Sequence, residues 1–98
     1  MKKAIKKSIC KIGPRDSKFW YLNGILHRED GPAVEYANGS KYWVLNGKLH
    51  REDGPAIEYV NGDKEWYLNA INYSEQNYYR ELYRRGIITR EEAFLHVL

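Results

Sequence analysis

The sequence predicts a mainly β fold, an antiparallel β-meander of 23-residue repeats closed by a C-terminal pair of short helices. Three observations carry that expectation. Residues Trp20 to Tyr42 are written again from Trp43 to Glu65 with 17 of 23 positions identical, and Trp66 opens a third copy. Within each copy, short β-prone runs are cut by Asn-Gly and Asp-Gly-Pro, which favour turns over helix. From Ser74 onward the spacing changes to that of capped helices. Stacked copies make a quasi-one-dimensional scaffold, and such scaffolds commonly serve in binding.

The chain reads as one domain over 1–98, with an N-terminal strand and cap in 1–17, the repeat sheet in 18–73 and a helical cap in 74–98. At the front, Ile5 to Ile12 has the composition of a strand, ended by Gly13-Pro14. Its lysines suit a sheet edge, because charge there discourages edge-to-edge pairing. Lys41 to Leu45 is the next clear strand, with Asn46-Gly47 supplying the two positive-φ positions of a type I′ turn. Pro55 has no N–H to donate, so it should open the strand Ala56 to Tyr59, which Asn61-Gly62 turns back into Lys64 to Leu68. Asn23-Gly24 and Asn38-Gly39 repeat these turns, and no connection is long enough for a parallel crossover.

Period-two alternation places Lys18, Trp20 and Leu22 on one face, followed by Lys41, Trp43 and Leu45, and then Lys64, Trp66 and Leu68. These recurrent residues read as a stacked framework in which Trp20, Trp43 and Trp66 pack on one another. The opposite face varies, with Phe19 and Tyr21, Tyr42 and Val44, then Glu65 and Tyr67. The variable positions, with Ile25, Lys48 and Ile71, are the expected contact surface if a partner binds the sheet.

Where a third Asn-Gly is due the chain has Asn69-Ala70. Alanine at φ > 0 costs roughly 1–2 kcal/mol, so the turn is expected to change type. Ser74 then caps a helix over Glu75 to Arg85, with Gly86 at its end. Its apolar stripe reads as Tyr79, Leu82 and Tyr83, with Tyr78 alongside. Thr89 caps a second helix, Arg90 to Val97, offering Ala93, Phe94 and Val97.

His-Arg-Glu-Asp occurs twice, at His27 to Asp30 and His50 to Asp53. Acid/base or metal chemistry needs such groups to converge on one point, whereas two copies lie a full repeat apart. No catalytic residue, metal ligand or cofactor site is therefore assigned. Asp30 and Asp53 are expected to fix the turn before Gly-Pro as Asx turns. Arg28 and Arg51 should pair with Glu35, Glu58, Glu29 or Glu52, while His27 and His50 stack, with Tyr73 as the terminal member. Cys10 reads as a buried strand thiol and excludes an intrachain disulfide.

The 23-residue period, Asn-Gly-Lys-x-His at Asn46 to His50 and Tyr-x-Asn-Gly at Tyr59 to Gly62 resemble MORN (membrane occupation and recognition nexus) repeats. Typical members continue His-Gly-x-Gly. This chain has His-Arg-Glu-Asp-Gly-Pro-Ala at His27 to Ala33 and again at His50 to Ala56, which is similar to variant repeats of bacterial and phage proteins. The resemblance spans about Lys18 to Glu75. It implies a curved sheet of β-hairpins serving in protein association, sometimes in lipid association, and an accessory role in inhibiting or modulating a host or defence complex.

A net charge of +3, one cysteine and no leader-like or membrane-spanning run point to a cytoplasmic protein, in the host cell if phage-encoded. The expected function is non-enzymatic protein binding. Candidate contacts are Tyr21, Tyr42, Lys48 and Tyr67 on the sheet, or the end formed by Tyr78, Tyr79, Arg80, Tyr83 and Arg84, since Tyr and Arg anchor interfaces. Self-association is a second expectation. Nucleic-acid binding is the alternative, with sheet tyrosines stacking bases and terminal lysines and arginines on phosphate. The near balance of charge within each repeat argues against it.

Overall fold

Each predicted Asn-Gly makes a turn, but the turns are of two kinds. At Asn23-Gly24 (φ 52° and 77°) and Asn46-Gly47 (φ 51° and 76°) both residues are left-handed, as a two-residue type I′ hairpin requires. At Asn38-Gly39 and Asn61-Gly62 only the glycines are, at φ 99° and 95°. There Tyr36 N–H bonds Ser40 C=O and Tyr59 N–H bonds Asp63 C=O, both at 2.9 Å, so each loop has three residues with Gly at its left-handed position.

The computed structural model describes residues 7–96. Between these turns lie β1 (Ile9–Ile12), β2 (Lys18–Leu22), β3 (Ile25–Leu26), β4 (Val34–Glu35), β5 (Lys41–Tyr42), β6 (Val44–Leu45), β7 (Lys48–Leu49), β8 (Ile57–Glu58), β9 (Lys64–Leu68) and β10 (Ile71–Tyr73). Two helices follow, α1 (Glu75–Arg84) and α2 (Arg90–His96). The expected start of β1 at Ile5, and Val97 in α2, lie outside the described residues. The protein is mainly an antiparallel meander with two C-terminal helices, as the repeat predicts.

The main sheet runs β1-β2-β4-β5-β8-β9-β10, with β3 on β2 and the β6-β7 hairpin beside it. Backbone bonds join the hairpins of successive repeats. Gly47 N–H reaches Leu26 C=O at 2.8 Å and Arg28 N–H reaches Val44 C=O at 3.1 Å; one repeat on, Ala70 reaches Leu49 at 2.8 Å and Arg51 reaches Tyr67 at 3.2 Å. That linkage explains the first departure from expectation. Asn69-Ala70 keeps the type I′ shape, with φ 49° and 68°, because another turn would withdraw the Ala70 N–H from its partner. The second departure is at Trp43, where the expected strand Lys41 to Leu45 breaks into β5 and β6. Its first half pairs with β4 and β8, and its second half with β7. β2 stays continuous because β1 runs along Lys18 to Tyr21.

Register sorts the two faces. Directly paired residues share a face, so Phe19, Val34, Tyr42, Ile57 and Glu65 lie together, while Lys18, Glu35, Lys41, Glu58 and Lys64 lie on the other side. The second row alternates in sign, so no like charges sit directly opposite. Across the two-residue turns, Leu22 pairs with Ile25, Leu45 with Lys48 and Leu68 with Ile71. Ile25, Lys48 and Ile71 therefore belong to the tryptophan face, not to the tyrosine face with which the sequence grouped them.

Helix α1 closes the array. Ser74 caps it, its Oγ accepting from Asn77 N–H at 3.2 Å, and Gly86 (φ 74°) ends it. Its buried residues are Tyr78 and Leu82, one turn apart, which pack with Leu68 and the partly buried Trp66, Tyr73, Tyr79 and Ile88. The stripe is thus Tyr78, Tyr79 and Leu82. Tyr83 points outward, 48% exposed. The molecule is only 18 Å across its thin axis, and among the described residues the buried hydrophobic cluster sits at this end.

Candidate interaction surfaces

The recurrent residues act as fasteners between repeats. His27 Nδ1 accepts from Asn46 N–H and His50 Nδ1 from Asn69 N–H, each at 2.9 Å. Each buried imidazole thereby holds the hairpin turn of the next repeat, with its proton on Nε2. His50 Nε2 donates to Glu52 Oε2 at 3.0 Å, while His27 Nε2 is buried without a hydrogen-bond partner among the described residues. The expected histidine stack is replaced by these bonds. Tyr73 has no ring nitrogen to offer, and its position in β10 pairs with Trp66 of β9.

A second fastener was not read from the sequence. Ser17 Oγ accepts from Ala37 N–H at 3.0 Å, and Ser40 Oγ from Val60 N–H at 3.1 Å. Both serines are buried and stand one period apart, a spacing that could have flagged them.

The arginines of His-Arg-Glu-Asp shape the following loop. Arg51 Nε donates to Asp53 at 2.9 Å, its Nη1 donates to Pro55 C=O and to Glu58 Oε2 at 3.0 Å each, and its guanidinium lies 3.8 Å from the centre of the Trp43 ring. Arg28 repeats this on Asp30, Pro32 C=O and Trp20, at 3.1, 3.1 and 3.9 Å. The aspartates clamp an arginine rather than forming Asx turns, because the residue two ahead of each, Pro32 or Pro55, has no N–H to donate. The tryptophans are covered by arginines of their own repeats instead of by one another, and Trp66, whose repeat lacks that arginine, packs under α1.

The aromatic row lies on the opposite face. Phe19, Tyr36, Tyr42 and Tyr59 form successive edge-to-face contacts with ring centres 6.1, 5.3 and 6.3 Å apart. Glu65 ends the row where a third aromatic would stand, accepting from the Tyr59 hydroxyl and from Tyr67 at 3.3 Å. That carboxylate raises Tyr59 well above the ordinary phenol value; burial, then Glu65, raises Tyr67. Tyr21, Tyr42 and Tyr67 are half-buried, and Tyr42 stands between the buried Val34 and Ile57 that pair with it on either side. Lys11 stands over the Tyr21 ring at 5.5 Å.

The helical end divides in two. Tyr78 is fully buried, its hydroxyl donating to Arg51 C=O and accepting from Gly54 N–H at 3.3 Å. Burial pushes its phenol up to about 12. It is an anchor between helix and sheet and is withdrawn from any surface contact, contrary to its sequence assignment. Tyr79 is half-buried and stacks on His96 at 3.7 Å. Arg80, Tyr83 and Arg84 remain at the surface, with Arg84 and Arg85 both on Glu81. Cys10, expected to be buried, is exposed because β1 is an edge strand.

On the tryptophan face a cleft of about 760 Å3 opens between the two His-Arg-Glu-Asp loops, lined by Arg28 to Gly31, Trp43, Leu45 and His50 to Asp53. Among the described residues no three His, Cys, Asp or Glu side chains converge as a metal site, and no helix is long and apolar enough to cross a membrane. Compared with known proteins, the chain matches no family model, no curated protein and no solved structure.

Proposed function

We propose that the chain is a non-enzymatic protein-binding module, a short MORN-like array whose sheet presents a tyrosine surface to a protein partner. The observation that supports this reading most directly is the edge-to-face row Phe19, Tyr36, Tyr42 and Tyr59 on the face opposite α1, flanked by Tyr21 and Tyr67. Rings held by one another give large contact area at little entropic cost on binding, which is why aromatic residues anchor interfaces. The recurrent His and Ser groups are engaged in holding repeats together and the Arg and Asp groups in shaping the loop within each repeat, which leaves them little freedom for catalysis. An accessory role, modulating a host or defence complex, is the biological setting that fits such a module.

Affinity purification from the native host, with and without nuclease, tests the reading. A protein partner that survives nuclease and is lost with Tyr36→Ala, while Lys48→Ala on the other face retains it, supports the proposal. Tyr36 is 40% exposed and packs edge-on against Phe19 and Tyr42, so its truncation should cost about 1–3 kcal/mol, and circular dichroism checks that the variant stays folded at the assay temperature. Recovery of nucleic acid alone, or a partner indifferent to Tyr36, refutes it.

A further inference from the structure

The cleft between the two His-Arg-Glu-Asp loops is a translated copy of a site that the protein fills itself. Shifted by one 23-residue repeat, its lining residues Arg28, Gly31, Trp43, Leu45 and His50 become Arg51, Gly54, Trp66, Leu68 and Tyr73. That second set is where α1 seats. Tyr78 enters there, its hydroxyl donating a hydrogen bond to Arg51 C=O and accepting one from Gly54 N–H, while Trp66, Leu68 and Tyr73 pack around it and Leu82. In the first cleft Arg28 C=O and Gly31 N–H have no hydrogen-bond partner among the described residues. Gly54 is buried beneath the phenol, whereas its counterpart Gly31 is only partly covered.

We infer that the first cleft is a receptor for a tyrosine side chain presented by a helix of a protein partner. The intramolecular site supplies the recognition chemistry. A backbone acceptor and a backbone donor, spaced within one loop, take both functions of a phenol, and an indole and a leucine form the apolar wall. Phenylalanine would bury the same ring and leave both backbone groups unpaired, so the cleft discriminates between the two. Arg51 already covers one face of Trp43 and leaves the rest of the cleft to the phenol. Its lining carries four carboxylates, Glu29, Asp30, Glu52 and Asp53, against the two guanidiniums Arg28 and Arg51, a negative balance that favours a helix bearing basic residues. This surface lies on the face opposite the tyrosine row and stands independently of it.

The test uses the full chain, labelled with 15N, and a helix-constrained peptide carrying the sequence of residues 74–86. Binding should shift the Gly31 amide and the Trp43 indole N–H, and a peptide with Phe in place of the tyrosine corresponding to Tyr78 should bind about ten- to a hundredfold more weakly, as loss of both hydrogen bonds implies. Leu45→Glu should abolish the interaction, while Leu22→Glu, the same position one repeat earlier and outside the cleft, should preserve it at a comparable melting temperature. Equal affinity for the Tyr and Phe peptides, shifts centred on Tyr36 and Tyr42, or no binding at millimolar peptide overturns the inference. None of these results bears on a partner captured through Tyr36, so the two readings fail separately.

Discussion

Ala70 occupies a backbone position that its two counterparts fill with glycine, and Ala70→Gly should stabilise the protein. Its φ of 68° is left-handed, where a Cβ costs roughly 1–2 kcal/mol. Glycine removes that strain but gives the unfolded chain more freedom, an opposing effect of about 0.4–1 kcal/mol. Ala70 is exposed, so little packing is lost, and its N–H keeps the bond to Leu49 C=O at 2.8 Å. The net gain is about 0.5–1 kcal/mol, or about 2–8 °C in melting temperature for a domain of this size. Thermal unfolding followed by far-UV circular dichroism, with urea titration to check that the slope m is unchanged, measures it. The repeats provide their own controls. Gly24→Ala meets no atom within 4 Å and isolates the backbone cost, whereas at Gly47 a Cβ would stand 3.3 Å from Ile25 Cγ2, so Gly47→Ala should cost at least as much. A neutral or destabilised Ala70→Gly, with Gly24→Ala also neutral, would refute the assignment of a strained type I′ turn at the end of the array.

Three further outcomes follow from the fasteners and the charges. Ser40→Ala should lower stability by about 1 kcal/mol and speed hydrogen exchange at the Val60 amide, which loses its acceptor; unchanged exchange there would dismiss the Ser fastener. Arg51→Lys keeps the charge but not the planar fork on Asp53, Pro55 C=O and Glu58, and should cost about 1–2 kcal/mol with a changed Trp fluorescence, against a near-zero cost if the guanidinium is merely a solvated cation. Hydrogen bonds from Arg84, then Arg85, hold the Glu81 carboxyl down to about 2. A depressed carboxyl stabilises the fold above the ordinary carboxylate range and loses that contribution as pH falls toward 2, so its NMR titration midpoint should lie near 2 and rise in Arg84→Ala.

Much of the fold was legible because a repeat writes its own alignment. The period, the Asn-Gly turns, the antiparallel connections, the Ser74 cap and the change to helix are local consequences of residue type, and the sequence determined them by itself. Partners across the repeat were not legible. Asp30 and Asp53 pointed to Asx turns, and each instead meets the arginine two residues before it; His27 and His50 pointed to stacking and Tyr78 to a surface, yet each makes its defining bond to a residue brought near only by the pairing of repeats. Lys48 changed face for the same reason, since a two-residue turn places the residues flanking it on one side of the sheet. Tertiary structure alone decided that Arg covers Trp, that the tyrosines form the continuous row, that α1 fills one inter-repeat site and leaves its copy open, and that Ala70 bears a conformation its own chemistry disfavours. In the last two cases a hydrogen bond or burial between repeats outweighs a local preference of about 1 kcal/mol.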